Sequence, residues 1–130
     1  MYHCFIEGND NQSHYCAKIV ETNTSYNLIE VGSFNTIKVW DFVNKNLITK
    51  INSDTNNYLQ GFVIINNNYL FIGSQDKNIK EIDIENKTLL KNFNKHTSTV
   101  VGLKFVKDKN ENIYIISYGQ DKNIFLWGFK

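Results

Sequence analysis

The chain has 130 residues, a formal net charge of +1 and a 42 % hydrophobic share, enough for the core of one domain and no more. Arginine and proline are absent, and the lysines are interspersed with acids, so neither a basic patch nor guanidinium forks point to nucleic acid. No N-terminal stretch has a signal-peptide layout and no apolar run reaches membrane-spanning length, which sets the expectation of a cytoplasmic or nuclear protein without a membrane partner.

In chain order, an apolar piece, Tyr2-His3-Cys4-Phe5-Ile6, comes first. Then the same phrase recurs: Gly32-Ser33-Phe34-Asn35-Thr36-Ile37 weakly, Gly73-Ser74-Gln75-Asp76-Lys77-Asn78-Ile79 in full, and Gly119-Gln120-Asp121-Lys122-Asn123-Ile124 again. Registered on the isoleucine, the intervals are 42 and 45 residues. Three residues past each isoleucine stand Trp40, Ile82 and Trp127, and Asp41 and Asp83 follow the first two. The longer interval accommodates the polar stretch 107–112, as surface loops do. A period in the forties decides the architecture before any single residue does.

Each unit reads as four short apolar runs between Asn, Asp, Lys and Gly. In the middle unit they span 59–65, 69–74, 79–84 and 89–93, rich in Ile, Val, Phe and Tyr, which are strand signals. No segment carries a 3.6-residue stripe, so an all-β chain is expected. The triple asparagine at 66–68 reads as a turn lengthened by a compositional bias toward Asn, Lys and Ile. Tyr69-Leu70-Phe71-Ile72 and Ile113-Tyr114-Ile115-Ile116 are apolar at both parities, so their sheets are covered on both faces. Four-stranded units stacked around an axis satisfy that condition.

These residues resemble the WD-repeat family of β-propellers. Lys95-His96 stands in the place of the family's Gly-His pair, Ser117-Tyr118-Gly119-Gln120-Asp121 is similar to its second strand and turn, and Ile124-Phe125-Leu126-Trp127 to its third strand. The first unit carries the literal Trp40-Asp41, with Gly8-Asn9 in the Gly-His place. The middle unit keeps Asp76 but has Asp54, Ile72 and Ile82 where His, Ser and Trp are expected. The resemblance implies about three four-stranded blades of an incomplete ring: an outer strand of a preceding blade at 1–7, then blades at 8–53, 54–94 and 95–130, the last lacking its outer strand. It also implies a hydrogen-bonded tetrad of His96, Ser117, Asp121 and Trp127, with Asp121 fixing the imidazole tautomer and Ser117 joining imidazole to indole. The first two units lack that set and are expected to be less stable or held by packing alone.

The resemblance further implies a non-catalytic scaffold that binds proteins or peptides on its rim, at Gln12, Tyr15 and Phe34 in the first unit, Asn57, Leu59 and Gln75 in the second, and Thr99, Val101 and Gln120 in the third. Two other readings stay open: an accessory part of a larger enzyme or complex, and a small hydrolase using Ser117 and His96 with Asp121. The hydrolase lacks a nucleophile elbow and an oxyanion loop. Three blades are fewer than the about four to eight of a closed ring. The chain is then expected to be a fragment of a longer propeller, one half of a homodimeric six-bladed ring, or an open arc. No cofactor is expected. Cys4 and Cys16, with His3 and His14, match no familiar zinc spacing, and strands spaced about 4.8 Å apart would hold those cysteines roughly 15 Å from each other.

Overall fold

The computed structural model describes residues 14–21, 25–32, 36–53 and 59–128. Among them lie eleven strands and no helix. Strands β1 (His14–Glu21), β2 (Tyr26–Gly32), β3 (Thr36–Asp41) and β4 (Asn46–Asn52) form one antiparallel sheet in that order. A second has β5 (Leu59–Ile65), β6 (Tyr69–Ser74), β7 (Ile79–Asp83) and β8 (Thr88–Phe93). The third has β9 (Val100–Lys107), β10 (Ile113–Gly119) and β11 (Ile124–Gly128), so β11 is its edge. We call these sheets blades 1, 2 and 3. The first strands lie side by side, β1 against β5 and β5 against β9.

Two apolar clusters join the blades. Val31, Ile37, Val39 and Ile51 of blade 1 pack on Phe62, Leu70, Ile72 and Ile82 of blade 2. Val63, Phe71 and Ile79, from the opposite face of blade 2, pack on Val100, Leu103 and Ile115 of blade 3, with Trp127 at their margin. Blade 2 is therefore covered on both sides, which is why its strands are apolar at both parities. The blades approach closely where β6 meets β9: a Cβ on Gly73 would come within 2.9 Å of the Val100 carbonyl.

The hairpin turns reuse a small set of solutions. Asp41 Oδ1 accepts from the amides of Val43 and Asn44, and Asp83 Oδ1 from the amide of Asn86, so the aspartate that ends the third strand of blades 1 and 2 caps the next turn. Lys45, Lys77, Lys87 and Lys122 sit at φ of 60°, 76°, 57° and 65°. These four lysines thus hold left-handed backbone positions as well as solvated ones. The triple asparagine is not a lengthened turn. Asn66 and Asn67 have φ of 54° and 55°, and the Asn68 amide donates to the Ile65 carbonyl at 3.3 Å, closing a two-residue turn of the kind that matches strand twist. Asparagine tolerates that backbone better than other residues with a Cβ, and Asn68 ties the turn down by donating from Nδ2 to Asp83 Oδ1 at 2.9 Å.

Candidate functional site

His96 precedes β9, Ser117 lies on β10, Asp121 in the β10–β11 turn and Trp127 on β11, and the fold of blade 3 brings the four together. The His96 ring meets Asp121 Oδ2 through Nδ1 at 2.9 Å and Ser117 Oγ through Nε2 at 2.8 Å. Trp127 Nε1 donates to the same Ser117 Oγ at 2.8 Å. With Nδ1 protonated toward the carboxylate, Nε2 accepts the Ser117 hydroxyl proton, and every member of the chain has a partner. His96 is 4 % and Ser117 0 % exposed, so those partners are needed: an unmet polar group at that depth is costly.

Burial would push the Asp121 carboxyl up, but the amides of Thr97 and Asn123 and the His96 ring outweigh it and hold the pKa at about 2. The Thr97 amide donates to Oδ2 at 2.9 Å and the Asn123 amide to Oδ1 at 3.0 Å. Gly119 is there for space: a Cβ would lie 3.0 Å from His96 Nδ1 and 2.7 Å from the Thr99 carbonyl. Phe125 stands edge-on to the His96 ring, with centroids 4.6 Å apart. Phe93 of β8 meets Trp127 edge-on at 5.5 Å, tying the tetrad to blade 2.

The other blades fill the same positions differently. Leu28 pairs with Trp40 and Glu30 with Lys38, as Ile115 pairs with Trp127 and Ser117 with Phe125. Glu30 therefore occupies the serine's place in blade 1, and Trp40 Nε1 donates to Glu30 Oε2 at 3.0 Å. Glu30 was legible in the repeat: it lies seven residues before Ile37, as Ser117 lies seven before Ile124. In blade 2, Ile72 pairs with Lys80, whose side chain is 2 % exposed and whose Nζ reaches Asp76 Oδ2 at 3.0 Å and Asn92 Oδ1 at 3.2 Å. Neither blade relies on packing alone: each keeps a buried or half-buried polar pair of its own.

Of the residues expected on a rim, Gln75, Thr99, Val101 and Gln120 lie where the β6–β7 and β10–β11 turns emerge. Gln75 and Gln120 are exposed, Val101 is 41 % exposed and Thr99 is half-buried. The Gln120 amide donates to the Thr99 carbonyl at 2.9 Å, joining two of them. Leu59 is a correction: it is 0 % exposed, in the core between blades 1 and 2. It pairs with Ser74 as Val100 pairs with Gly119, so it holds the inward place of Val100, and Gln60 is the register equivalent of Val101. The approach to β5 is one residue longer than the approach to β9, which displaces the count from Asp54. Gln12, Phe34 and Asn57 lie outside the described residues, as do His3, Cys4 and the outer strand expected at 1–7. Tyr15 lies on β1 at a bulge between His14 and Cys16. Among the described residues, no group of three His, Cys, Asp or Glu could hold a metal ion, and no helix is long and apolar enough to cross a membrane.

No protein-family model matches the chain, and no curated protein matches it. Solved structures do. The WD40 β-propeller domain of Doa1 superimposes with a TM-score of 0.75 at 24 % identity, over 90 % of this chain and 37 % of that one. The computationally designed Ika8 protein does so with a TM-score of 0.64 at 20 % identity, over 85 % of this chain and 32 % of its own. The chain thus spans about a third of the length of each. Its antiparallel sheets, its repeated turn and its superposition on a WD40 domain make its fold that of part of a WD40-type β-propeller.

Proposed function

We propose that these blades form a non-catalytic scaffold that holds a partner protein or peptide at the end where the β6–β7 and β10–β11 turns emerge. The observation that carries this reading is a contrast within blade 3. Val101, an apolar side chain, is 41 % exposed beside the exposed Gln120, whereas the one serine–histidine–aspartate set among the described residues is closed. Ser117 is 0 % exposed and its Oγ already carries the indole N–H and the imidazole, which leaves no open approach for a scissile carbonyl. An exposed apolar residue on an end that carries the exposed, uncharged Gln75 and Gln120 suits a peptide without a strong charge requirement. The test is selection of peptides from a display library on the purified chain, followed by titration of the selected peptides against Val101→Glu. At least tenfold weaker binding to the folded variant is expected; equal binding to both chains overturns the reading.

A second reading, that the blades work inside a larger assembly, is favoured by β11. Blades 1 and 2 have a fourth strand, while β11 is an edge whose Ile124 and Leu126 are 74 % and 66 % exposed on one face. Such an edge invites another strand or sheet. Light scattering of the purified chain separates the cases. Twice 15.2 kDa favours a homodimer closing a six-bladed ring, a polydisperse sample favours service inside a longer propeller, and a stable monomer without dye-binding apolar surface removes the second reading.

A further inference from the structure

A groove of about 340 Å³ opens between blades 2 and 3 at the end of the sheets opposite the proposed rim. Its apolar walls are Ile65, Tyr69, Phe71 and Ile113, and its charged groups are Glu81 and Glu111. No lysine lines it. From this composition we propose that the groove accepts a lysine or arginine side chain carried on an extended segment of a partner protein. The volume lies within the range of roughly 300–1,000 Å³ typical of ligand sites.

Three features point to a cation. Glu81 stands on β7 in the middle of a sheet covered on both faces, so its carboxylate has lost part of its water. Burial raises its pKa, and the cross-strand Lys91 opposes that only in part. Lys91 also lies over an aromatic ring, its Nζ 5.0 Å from the centre of Phe93. A carboxylate so placed gains from an incoming positive charge. Second, Tyr69 is 37 % exposed at the groove, an aromatic surface over which an ammonium or guanidinium is attracted. Third, Glu111 sits at the mouth in an exposed ion pair with Lys107, on a turn residue with φ of 67°. A pair in that much water is weak and can exchange its cation for one brought by a partner. Asn66 adds an exposed amide at the groove, while Asn112 is fixed there by its own bonds to Asp108.

The experiment is amide NMR of the full chain titrated with the blocked tripeptide acetyl-Gly-Arg-Gly-amide, with acetyl-Gly-Gln-Gly-amide as the neutral control. Saturable shifts are expected at Tyr69, Phe71 and Asn112, absent with the control, and binding about tenfold weaker in Glu81→Gln, the size of one lost charge-assisted contact. Glu111→Gln is expected to weaken binding in the same direction by less, and it is read alone if Glu81→Gln fails to fold. Shifts that the neutral peptide reproduces, that survive the substitutions, or that do not saturate overturn the proposal. The amides of Gln75 and Gln120 report the rim separately, so failure of the groove and failure of the rim reading are told apart.

Discussion

Blades 2 and 3 share a backbone but not a chemistry. Blade 3 is organised around a buried polar chain, Trp127 to Ser117 to His96 to Asp121, while blade 2 places Ile82 and Ile72 where blade 3 has its tryptophan and serine. Blade 2 is packed on both faces, and its apolar burial is supplemented by the buried Lys80 with its contacts to Asp76 and Asn92. Among the described residues, blade 3 packs on blade 2 through one face. β11 runs exposed and half-buried in alternation, and directional bonds join it to β10 and to the segment before β9. A hydrogen-bonded chain that reaches from the residue before β9 to the end of β11 supplies them.

The largest test of that contrast is Ile72→Ser, which writes the blade 3 residue into blade 2. Ile82 offers no N–H to the new hydroxyl, so the substitution leaves both a cavity and an orphan polar group, and a loss of about 4 kcal/mol is expected in denaturant unfolding. A loss below about 1 kcal/mol would show that blade 2 tolerates the polar residue without the rest of the set. Ser117→Ala comes next. It strands the Trp127 indole N–H and His96 Nε2 together, and about 2 kcal/mol is expected. With Trp127→Phe added, the two losses should fall short of their sum by about 1 kcal/mol, because the groups act through one oxygen. Additive losses would mean that the distances do not translate into coupling.

Acid probes the far end of the same chain. The Asp121 pKa of about 2 lies below the ordinary 3.8, so the carboxylate contributes stability that is complete above about pH 4 and is lost as the pH falls toward 2. The carboxyls of Asp41 and Asp83 are also held down, by the amides of Asn44 and Asn86 first, so acid loosens every blade. Asp121→Asn is expected to be less stable at neutral pH and to lose less between pH 4 and 2 than the parent chain. An unchanged acid slope in Asp121→Asn would remove Asp121 from the account.

Much of the fold was legible because the signal repeats. The phrase around Asp76 returns around Asp121, and both copies fold into one turn: the amides of Asn78 and Asn123 donate to the aspartate Oδ1 at 3.1 and 3.0 Å. Strand bounds followed from apolar runs broken by turn formers, with β8 starting one residue early and β7 ending one residue early. Three things did not follow. Glu30 as the partner of Trp40 did not follow from the family pattern, which has serine at that place in the repeat, although any acceptor there serves an indole N–H. Burial of Leu59 was hidden because a count along a connection cannot see where the bulge near Leu59 and Phe62 restores the register. The groove over Glu81 joins residues from two blades, and no one-dimensional pattern states which sheet edges meet.

The smallest expected effect compares the two copies of the repeated turn directly. Lys77 and Lys122 sit at φ of 76° and 65°, a region that disfavours any residue with a Cβ and that glycine enters freely. Each amide donates to a carbonyl four-residue-turn fashion, Lys77 to Ser74 and Lys122 to Gly119, both at 3.2 Å, so the backbone geometry is shared. Glycine at either site relieves left-handed strain of about 1 kcal/mol but frees the unfolded chain, and a net gain of about 0.5 kcal/mol is expected. Lys77 and Lys122 are both exposed, so little packing is lost. If the turn is an autonomous unit, Lys77→Gly and Lys122→Gly raise the unfolding midpoint equally. A larger gain at Lys122 would mean that the turn in blade 3 is strained by the tetrad it serves, since Asp121 next to it is held from both sides by His96 and the amides of Thr97 and Asn123.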